Sequence, residues 1–485
     1  MSARVVGDKK DVGGVMIIQK VKTDRNFDRN KFSFEVKRIV SLATIAVTCG
    51  VFSASVDAQT IEEALSNAYL TNPGLQAARA ELRATDETVN QAISNWRPNV
   101  EFSTSAGFNR VESSSGFFGS RGLRKPKAGA ITVEQSLYRG GQTVAETEQR
   151  EFEVQAQRAV LSEVEQSVLL DAATAFINVV RDQAVVELQI NNEKVLLRQL
   201  EATRDRFSVG EVTRTDVSQA EARLARAKAD RIQAEGDLEN ARTNFERVVG
   251  MPPADLKSPT LKYELPEALE TAISEASKSS PNVVSALFIE KAAQKNVRKV
   301  TGELLPDVSL AGTLTKSADQ SSAGSTNESA QILATLTIPL YQQGAVSSRV
   351  REAKQQAAQR RLEYLDEQRA AIETSRTAWE DLQTARARIE AFKIEIESSE
   401  IALEGVRQEA NVGSRTVLDV LDAEQELLDA QVNLVRAERD EFVAATELAA
   451  AVGKLTAKEY NLDVDYYNET EHYNKVRDKI YGFGK

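Results

Sequence analysis

The sequence predicts a mainly α-helical chain with a membrane β component, built from two copies of one unit: helix, strand, strand, long helix, long helix. Three observations lead there. The chain is internally duplicated, each half carries a 67-residue stretch without proline, and each half carries two short segments of apolar–polar alternation.

The duplication is read from punctuation residues. Asn72-Pro73-Gly74 aligns with Ser280-Pro281-Asn282 at an offset of 208, and Trp96-Arg97-Pro98-Asn99 aligns with Leu304-Leu305-Pro306-Asp307 at the same offset. From Leu137-Tyr138-Arg139-Gly140-Gly141 against Leu340-Tyr341-Gln342-Gln343-Gly344 the offset becomes 203, and it holds through Val209-Gly210-Glu211 against Val412-Gly413-Ser414 and Val249-Gly250 against Val452-Gly453. The five lost residues fall between the prolines and the glycines, where a surface loop tolerates deletion. The expected organisation is a first repeat over 59–250, a linker over 251–265, a second repeat over 266–453 and a polar tail over 454–485.

Strands are expected at about 99–110 and 129–139 and again at about 306–316 and 330–341. Val100, Phe102, Thr104, Ala106 and Phe108 share one face, opposed by Glu101, Ser103 and Ser105. Ile131, Val133 and Leu137 do the same against Thr132, Glu134 and Ser136, and the second repeat matches with Val308, Leu310 and Leu314, then Ile332, Ala334, Leu336, Ile338 and Leu340. Nine or ten residues suit a tilted membrane strand, although a soluble antiparallel sheet alternates in the same way. Ser- and Gly-rich loops at 111–125 and 317–328 lie between the paired strands and are expected outside the cell.

The helices favour the membrane reading. Hairpins are expected over 142–249 and 345–452, each opening with a proline-free segment (Gln142–Ser208, Ala345–Asn411) that would reach roughly 100 Å as a straight helix. Leu382, Ala385, Ile389, Phe392, Ile396, Ser399, Leu403, Val406 and Ala410 follow 3-4 spacing. Leu421, Leu428, Val435 and Phe442 recur every seven, with Val420, Leu427 and Leu434 in a second register, so each helix needs neighbours on two sides. Such lengths suit a duct across an aqueous compartment. Four strands cannot close a barrel, and open edges are not viable in lipid, so two or more chains must combine. Eight strands from two copies and twelve from three both remain open on spacing alone.

Composition excludes much else. A net charge of −11 disfavours nucleic acid, and one cysteine and one histidine leave no metal cluster or catalytic constellation to build, so no enzyme activity, cofactor or metal is expected. Gly453-Lys454 lacks the upstream glycine of a phosphate-binding loop, so energy for transport must come from a partner. Lys31, Lys37 and Arg38 precede an apolar run from Ile39 to Phe52 and small residues to Ala58, the order of a secretory signal peptide cleaved after Ala58, behind an unstructured extension over 1–30. Cys49 raises lipidation as an alternative, which Ala46 and Thr48 fit poorly. His472 and the tyrosines at 460, 466, 467, 473 and 481 are expected in a partly ordered, solvated tail, the alternative being that the tail packs around the duct's waist with the 251–265 linker.

The two hairpin turns carry a family resemblance. They read Arg206-Phe207-Ser208-Val209-Gly210-Glu211-Val212-Thr213-Arg214-Thr215-Asp216-Val217 and Asn411-Val412-Gly413-Ser414-Arg415-Thr416-Val417-Leu418-Asp419-Val420-Leu421-Asp422-Ala423. The Val-Gly-x-x-Thr-x-x-Asp-Val core, with Pro339-Leu340-Tyr341-x-x-Gly344 where strand meets helix, resembles the TolC family of outer-membrane efflux and type I secretion channels over about residues 60–453. The resemblance implies a homotrimer with a 12-stranded barrel above a long α-helical tunnel in the periplasm, and partners in a periplasmic adaptor (membrane fusion protein) and an inner-membrane ABC or RND transporter. Efflux and protein secretion stay unresolved, although the Asp-Val-Leu-Asp-Ala run leans toward the secretion-linked branch. The alternative function is a soluble periplasmic coiled-coil scaffold.

Chemistry gives the turns a simpler role as well. Gly210 and Gly413 end helices in a left-handed conformation, and Thr213 with Asp216 and Thr416 with Asp419 have capping-box spacing. Asp422 lies three residues past Asp419 on the same helical face and is not explained by capping. By resemblance, Asp419 and Asp422 line the periplasmic entrance constriction, while Thr215, Asp216 and Arg415 form the gate latch. Ala410 stands where relatives carry a tyrosine of that latch, and Ser136 stands where the other repeat has Pro339.

Overall fold

The computed structural model describes residues 59–112, 121–259, 265–322 and 324–482. The signal segment 1–58, the middle of the 111–125 loop and part of the 251–265 linker lie outside the described residues.

Each repeat opens with two helices. In the first, α1 (Ile61–Thr71) starts on a capping box between Thr60 and Glu63, and Asn72 closes it while capping α2 (Pro73–Ser94), whose first residue is the proline that suits that position. In the second, α5 (Leu269–Ser279) and α6 (Pro281–Gly302) likewise meet at a single residue, Ser280, before a proline, but neither start carries a side-chain cap. The strands follow: β1 (Asn99–Ala106), β2 (Asn109–Glu112), β3 (Arg121–Arg124) and β4 (Lys127–Arg139), then β5 (Asp307–Ala318) and β6 (Thr326–Thr337). The hairpins are α3 (Gln142–Ser208) with α4 (Arg214–Val249), and α7 (Ala345–Asn411) with α8 (Val417–Ala451); α9 (Glu471–Val476) lies in the tail.

The main sheet is antiparallel in the order β1-β4-β5-β6, so β4 and β5 join the repeats and β1 and β6 are open edges. Its register makes the two faces explicit. Phe102, Ile131, Leu314 and Ala330 stand in one row, and Val100, Val133, Gly312 and Ile332 in the next of the same face. The large apolar side chains of this face are exposed, Phe102 at 70% and Ile332 at 81%, while the opposite face carries Glu101, Thr132, Thr313 and Gln331. A bulge between Ser136 and Tyr138 bends β4 at its helical end.

Strand limits differ from the sequence reading in two places. The segment expected as one strand at 99–110 breaks after Ala106, and its last two residues join parts of the expected 111–125 loop in a separate ribbon in which β2 pairs with β3. The strand expected to reach residue 341 ends at Thr337, because Pro339 has no N–H to give the ladder, which leaves Ile338 and Leu340 outside it. Conversely, β5 and β6 extend into the Ser-rich 317–328 segment as far as Ala318 and Thr326, where paired polar residues give no apolar signal.

Helix α3 is the backbone of the packing, lying against α1, α2, α4, α6 and α8, whereas α7 packs on α5, α6 and α8. The main core gathers Leu65, Leu75, Leu169, Phe176 and Phe245, with the Phe176 and Phe245 rings 6.3 Å apart. At the junction with the sheet, a Cβ on Gly140, whose φ is +58°, would lie 2.2 Å from the Gly302 carbonyl, so this crossing of the two repeats admits only glycine.

The tail is packed, contrary to the expectation of a solvated segment. Tyr460, Leu462 and Val476 are buried, and the Tyr467 N–H donates to the Tyr69 hydroxyl at 3.0 Å. The Arg79 guanidinium lies 4.4 Å from the Tyr69 ring centroid and 5.1 Å from that of Tyr467. Arg477 pairs with Glu151 of α3 at 2.9 Å. His472 is not a free surface histidine: its Nδ1 lies 3.0 Å from Oδ2 of the fully buried Asp86 in α2. Composition hid this because the partner lies 386 residues away in sequence. Burial pushes the Asp86 carboxyl above the usual range, against the pull of the His472 bond.

Candidate functional site: the helical tips

Both hairpins turn on the same backbone. After α3 and α7 the chain enters Gly210 at φ +83° and Gly413 at φ +82°, and the following residue returns its N–H to the helix: Glu211 to the Arg206 carbonyl and Ser414 to the Glu409 carbonyl, each at 2.9 Å. The next helices start on matching caps, Thr213 at φ −88°, ψ 163° and Thr416 at φ −88°, ψ 162°. Asp216 accepts from the Thr213 N–H at 2.7 Å and hydroxyl at 2.8 Å, and Asp419 accepts from the Thr416 N–H and hydroxyl, both at 2.8 Å. These bonds, with Arg415 nearby, hold the Asp419 carboxyl below the usual range, so it is ionised throughout the neutral range.

Repeat-related ion pairs staple each hairpin one turn above its tip: Arg204–Glu221 at 2.6 Å and Arg407–Glu424 at 2.7 Å. At the turns themselves the charges are reversed. Arg206 of the first helix pairs with Glu211 at 3.2 Å, whereas in the second hairpin the helix supplies Glu409 and the turn supplies Arg415, at 2.8 Å.

The hairpins also meet each other. Val417 and Leu421 of α8 pack with Leu196 and Leu200 of α3 and with Ala220 and Leu224 of α4, forming a small core of their own. Beside it Arg223 of α4 forms an ion pair with Asp422 of α8. Asp419 and Asp422 therefore share the expected face but differ in environment: one caps its own helix, the other is neutralised from the neighbouring hairpin.

The residues expected to form the latch do not meet within one chain. Arg415 is taken by Glu409, Asp216 turns back onto Thr213, and Thr215 is exposed. The ion pair between the hairpins near the tips is instead made by Arg223 with Asp422, a pairing absent from the sequence reading. No periodicity connects positions 199 apart, and the duplication points elsewhere, since the repeat mate of Arg223 is Glu426. Ala410, at the position of the family's latch tyrosine, is buried. Among the described residues there is no cluster of three or more metal-ligating side chains, and no helix is long and apolar enough to cross a membrane.

Comparison with known proteins agrees with this architecture. The family model described as outer membrane efflux protein matches residues 64–251 and again 272–454, one match for each repeat. The outer membrane efflux protein BepC of Brucella suis is 33% identical over 451 residues, covering 92% of this chain and 96% of that protein. The outer membrane protein TolC of Escherichia coli is 25% identical over 432 residues, 86% of each chain. Among solved structures, the outer membrane protein VceC of Vibrio cholerae superposes with a TM-score of 0.71 at 20% identity, over 81% of this chain and 96% of that one. The chain is a member of the outer membrane efflux protein family, and its place is the outer membrane.

Proposed function

We propose that three copies of this chain close a 12-stranded barrel and a helical tunnel, forming a passive exit duct that opens and closes at the hairpin tips. The observation that carries it is the sheet: four strands with two unpaired edges, one exposed apolar face and one polar face. Such a sheet is viable in lipid only when further copies cover its edges, and its polar face then lines an aqueous lumen. Transport is driven from elsewhere, by an inner-membrane ABC or RND transporter reached through a periplasmic adaptor. The family model and the BepC likeness favour efflux as the service performed.

At the tunnel end, Asp419 and Asp422 of three copies form the entrance constriction, with Arg223 moderating the Asp422 charge. Val417, Leu421 and Arg223 form the half of the latch inside each chain, and Thr215, Asp216 and Arg415, exposed or half-exposed at the same level, form the half between neighbouring copies. The test is assembly and conductance. Detergent-solubilised protein is expected to run as a trimer and to give small, discrete single-channel currents in planar bilayers. A water-soluble species that forms no channels would instead mark a periplasmic coiled-coil scaffold.

A further inference from the structure

The apolar face of the sheet is nearly free of charge. In the registered strands its charged residues are Lys127, Lys316 and Glu328, and all three lie at the end farthest from the helices. Lys316 and Glu328 stand opposite one another and form an ion pair, while Lys127 has no ion-pair partner among the described residues. The adjoining segment deepens the asymmetry: residues 107–128 hold five Lys and Arg against a single acid, Glu112. Arg110 of β2 is exposed, and Lys125 lies 5.9 Å from the Phe108 ring centroid. Phe108 and Leu123 are themselves 77% and 64% exposed beside these cations. Arg124 donates to the Gln320 and Ser321 carbonyls at 3.3 and 2.7 Å, which holds the ribbon against the β5–β6 turn and keeps the cluster at the rim.

We propose that this rim (Arg110, Lys125 and Lys127, with Phe108 and Leu123) is a binding site for the phosphate-bearing headgroups of outer-leaflet glycolipid. The proposal rests on reading the apolar face as the lipid-facing surface. Lysine stems lie along apolar surface while their ammonium groups reach the headgroup level, and exposed aromatic and leucine side chains at that level enter the acyl boundary. Unpaired cations continuous with a membrane surface attract anionic headgroups, each lysine or arginine contributing about fivefold in affinity. The opposite, lumenal face offers no equivalent; its charges are Glu101, Glu134, Arg139 and Asp307, toward the helical end.

Native mass spectrometry of the detergent-purified channel tests the site, with bisphosphorylated lipid A and the same lipid stripped of both phosphates as probes. Wild type is expected to retain the phosphorylated form preferentially. Arg110→Gln with Lys125→Gln and Lys127→Gln should lower retention about fivefold per cation removed. Lys125→Arg with Lys127→Arg should preserve it, and Lys291→Gln with Lys295→Gln on α6 should leave it unchanged. Equal retention of both lipids by wild type, unchanged retention by the triple variant, or displacement by millimolar inorganic phosphate would overturn the headgroup site. Wild type that stays monodisperse in water without detergent would overturn the lipid-facing reading beneath it.

Discussion

The waist and the tips share α3, α4 and α8 yet are held very differently. At the waist α3 shares a core with α1, α2, α4 and α8 that includes Phe176, Phe245 and Leu169, with the tail strapped over α1, α2 and α3. At the tips the shared core shrinks to seven buried residues, and the contact between hairpins comes down to Val417, Leu421 and one partly exposed ion pair. A long helix pair clamped at one end and lightly joined at the other concentrates its low-energy motion at the light end. On this comparison the moving part of the proposed gate belongs at the tips, with the waist as its anchor. Within the tips, a second contrast separates backbone from charge: both turns share the same glycine and cap geometry, while the Arg206–Glu211 and Glu409–Arg415 pairs run in opposite senses. The turn needs one backbone and accepts either polarity.

The largest expected effects come from emptying the two cores. Phe176→Ala should cost about 3–5 kcal/mol, and trimer yield after detergent extraction should collapse. Leu421→Ala, although also fully buried, should lose about 2–4 kcal/mol from the tip alone. Its signature is faster hydrogen exchange over 417–424 with a normal trimer yield. Equal exchange changes at waist and tip in both variants would remove the distinction between anchor and gate.

A smaller effect sharpens the likeness of the two turns. Thr213→Ala and Thr416→Ala each remove a cap made with the same geometry, so each should cost about 1 kcal/mol, seen as matching increases in amide exchange in the first turns of α4 and α8. A large difference between them would mean that the surrounding charges, and not the shared backbone, set the strength of the turn.

The smallest effect is a pH dependence at the waist. The Asp86 carboxyl is raised by burial, so the folded protein favours its protonated form more than the unfolded chain does. This group thus contributes stability that is fully present at low pH and is lost as pH rises through the raised value. Exchange protection over α9, corrected for intrinsic rates, should fall as pH is raised from acidic toward neutral. In Asp86→Asn that slope should flatten, while the tips stay unaffected.

How much of this was legible follows from what sequence pattern can encode. The duplication, the extents of α3 and α7, the seam residues Leu382, Ala385, Ile389 and Leu403, and both capping boxes rest on local spacing, and the structure shows all of them. The β2–β3 ribbon escaped because its polar, Ser- and Gly-rich surroundings carry no alternation. Arg223–Asp422 and His472–Asp86 escaped for another reason: each joins distant segments through a register that only the packed helices define. The three-residue spacing of Asp419 and Asp422 puts both on one face of α8, yet their different charge environments depend on Arg223 from the other hairpin.

The most direct test of a tip gate lined by these carboxylates is block of the channel by a multivalent cation, measured in planar bilayers on wild type and on Asp419→Ala with Asp422→Ala. Charges around a narrow mouth concentrate counter-ions, so removing both should raise the blocking concentration by about tenfold or more and reduce cation selectivity, with trimer yield preserved. Arg223→Ala, which uncovers the Asp422 charge, should shift block the opposite way and raise resting conductance. If wild type and the double variant are blocked at the same concentration, Asp419 and Asp422 serve only as cap and surface ion pair, and the constriction lies elsewhere in the tunnel.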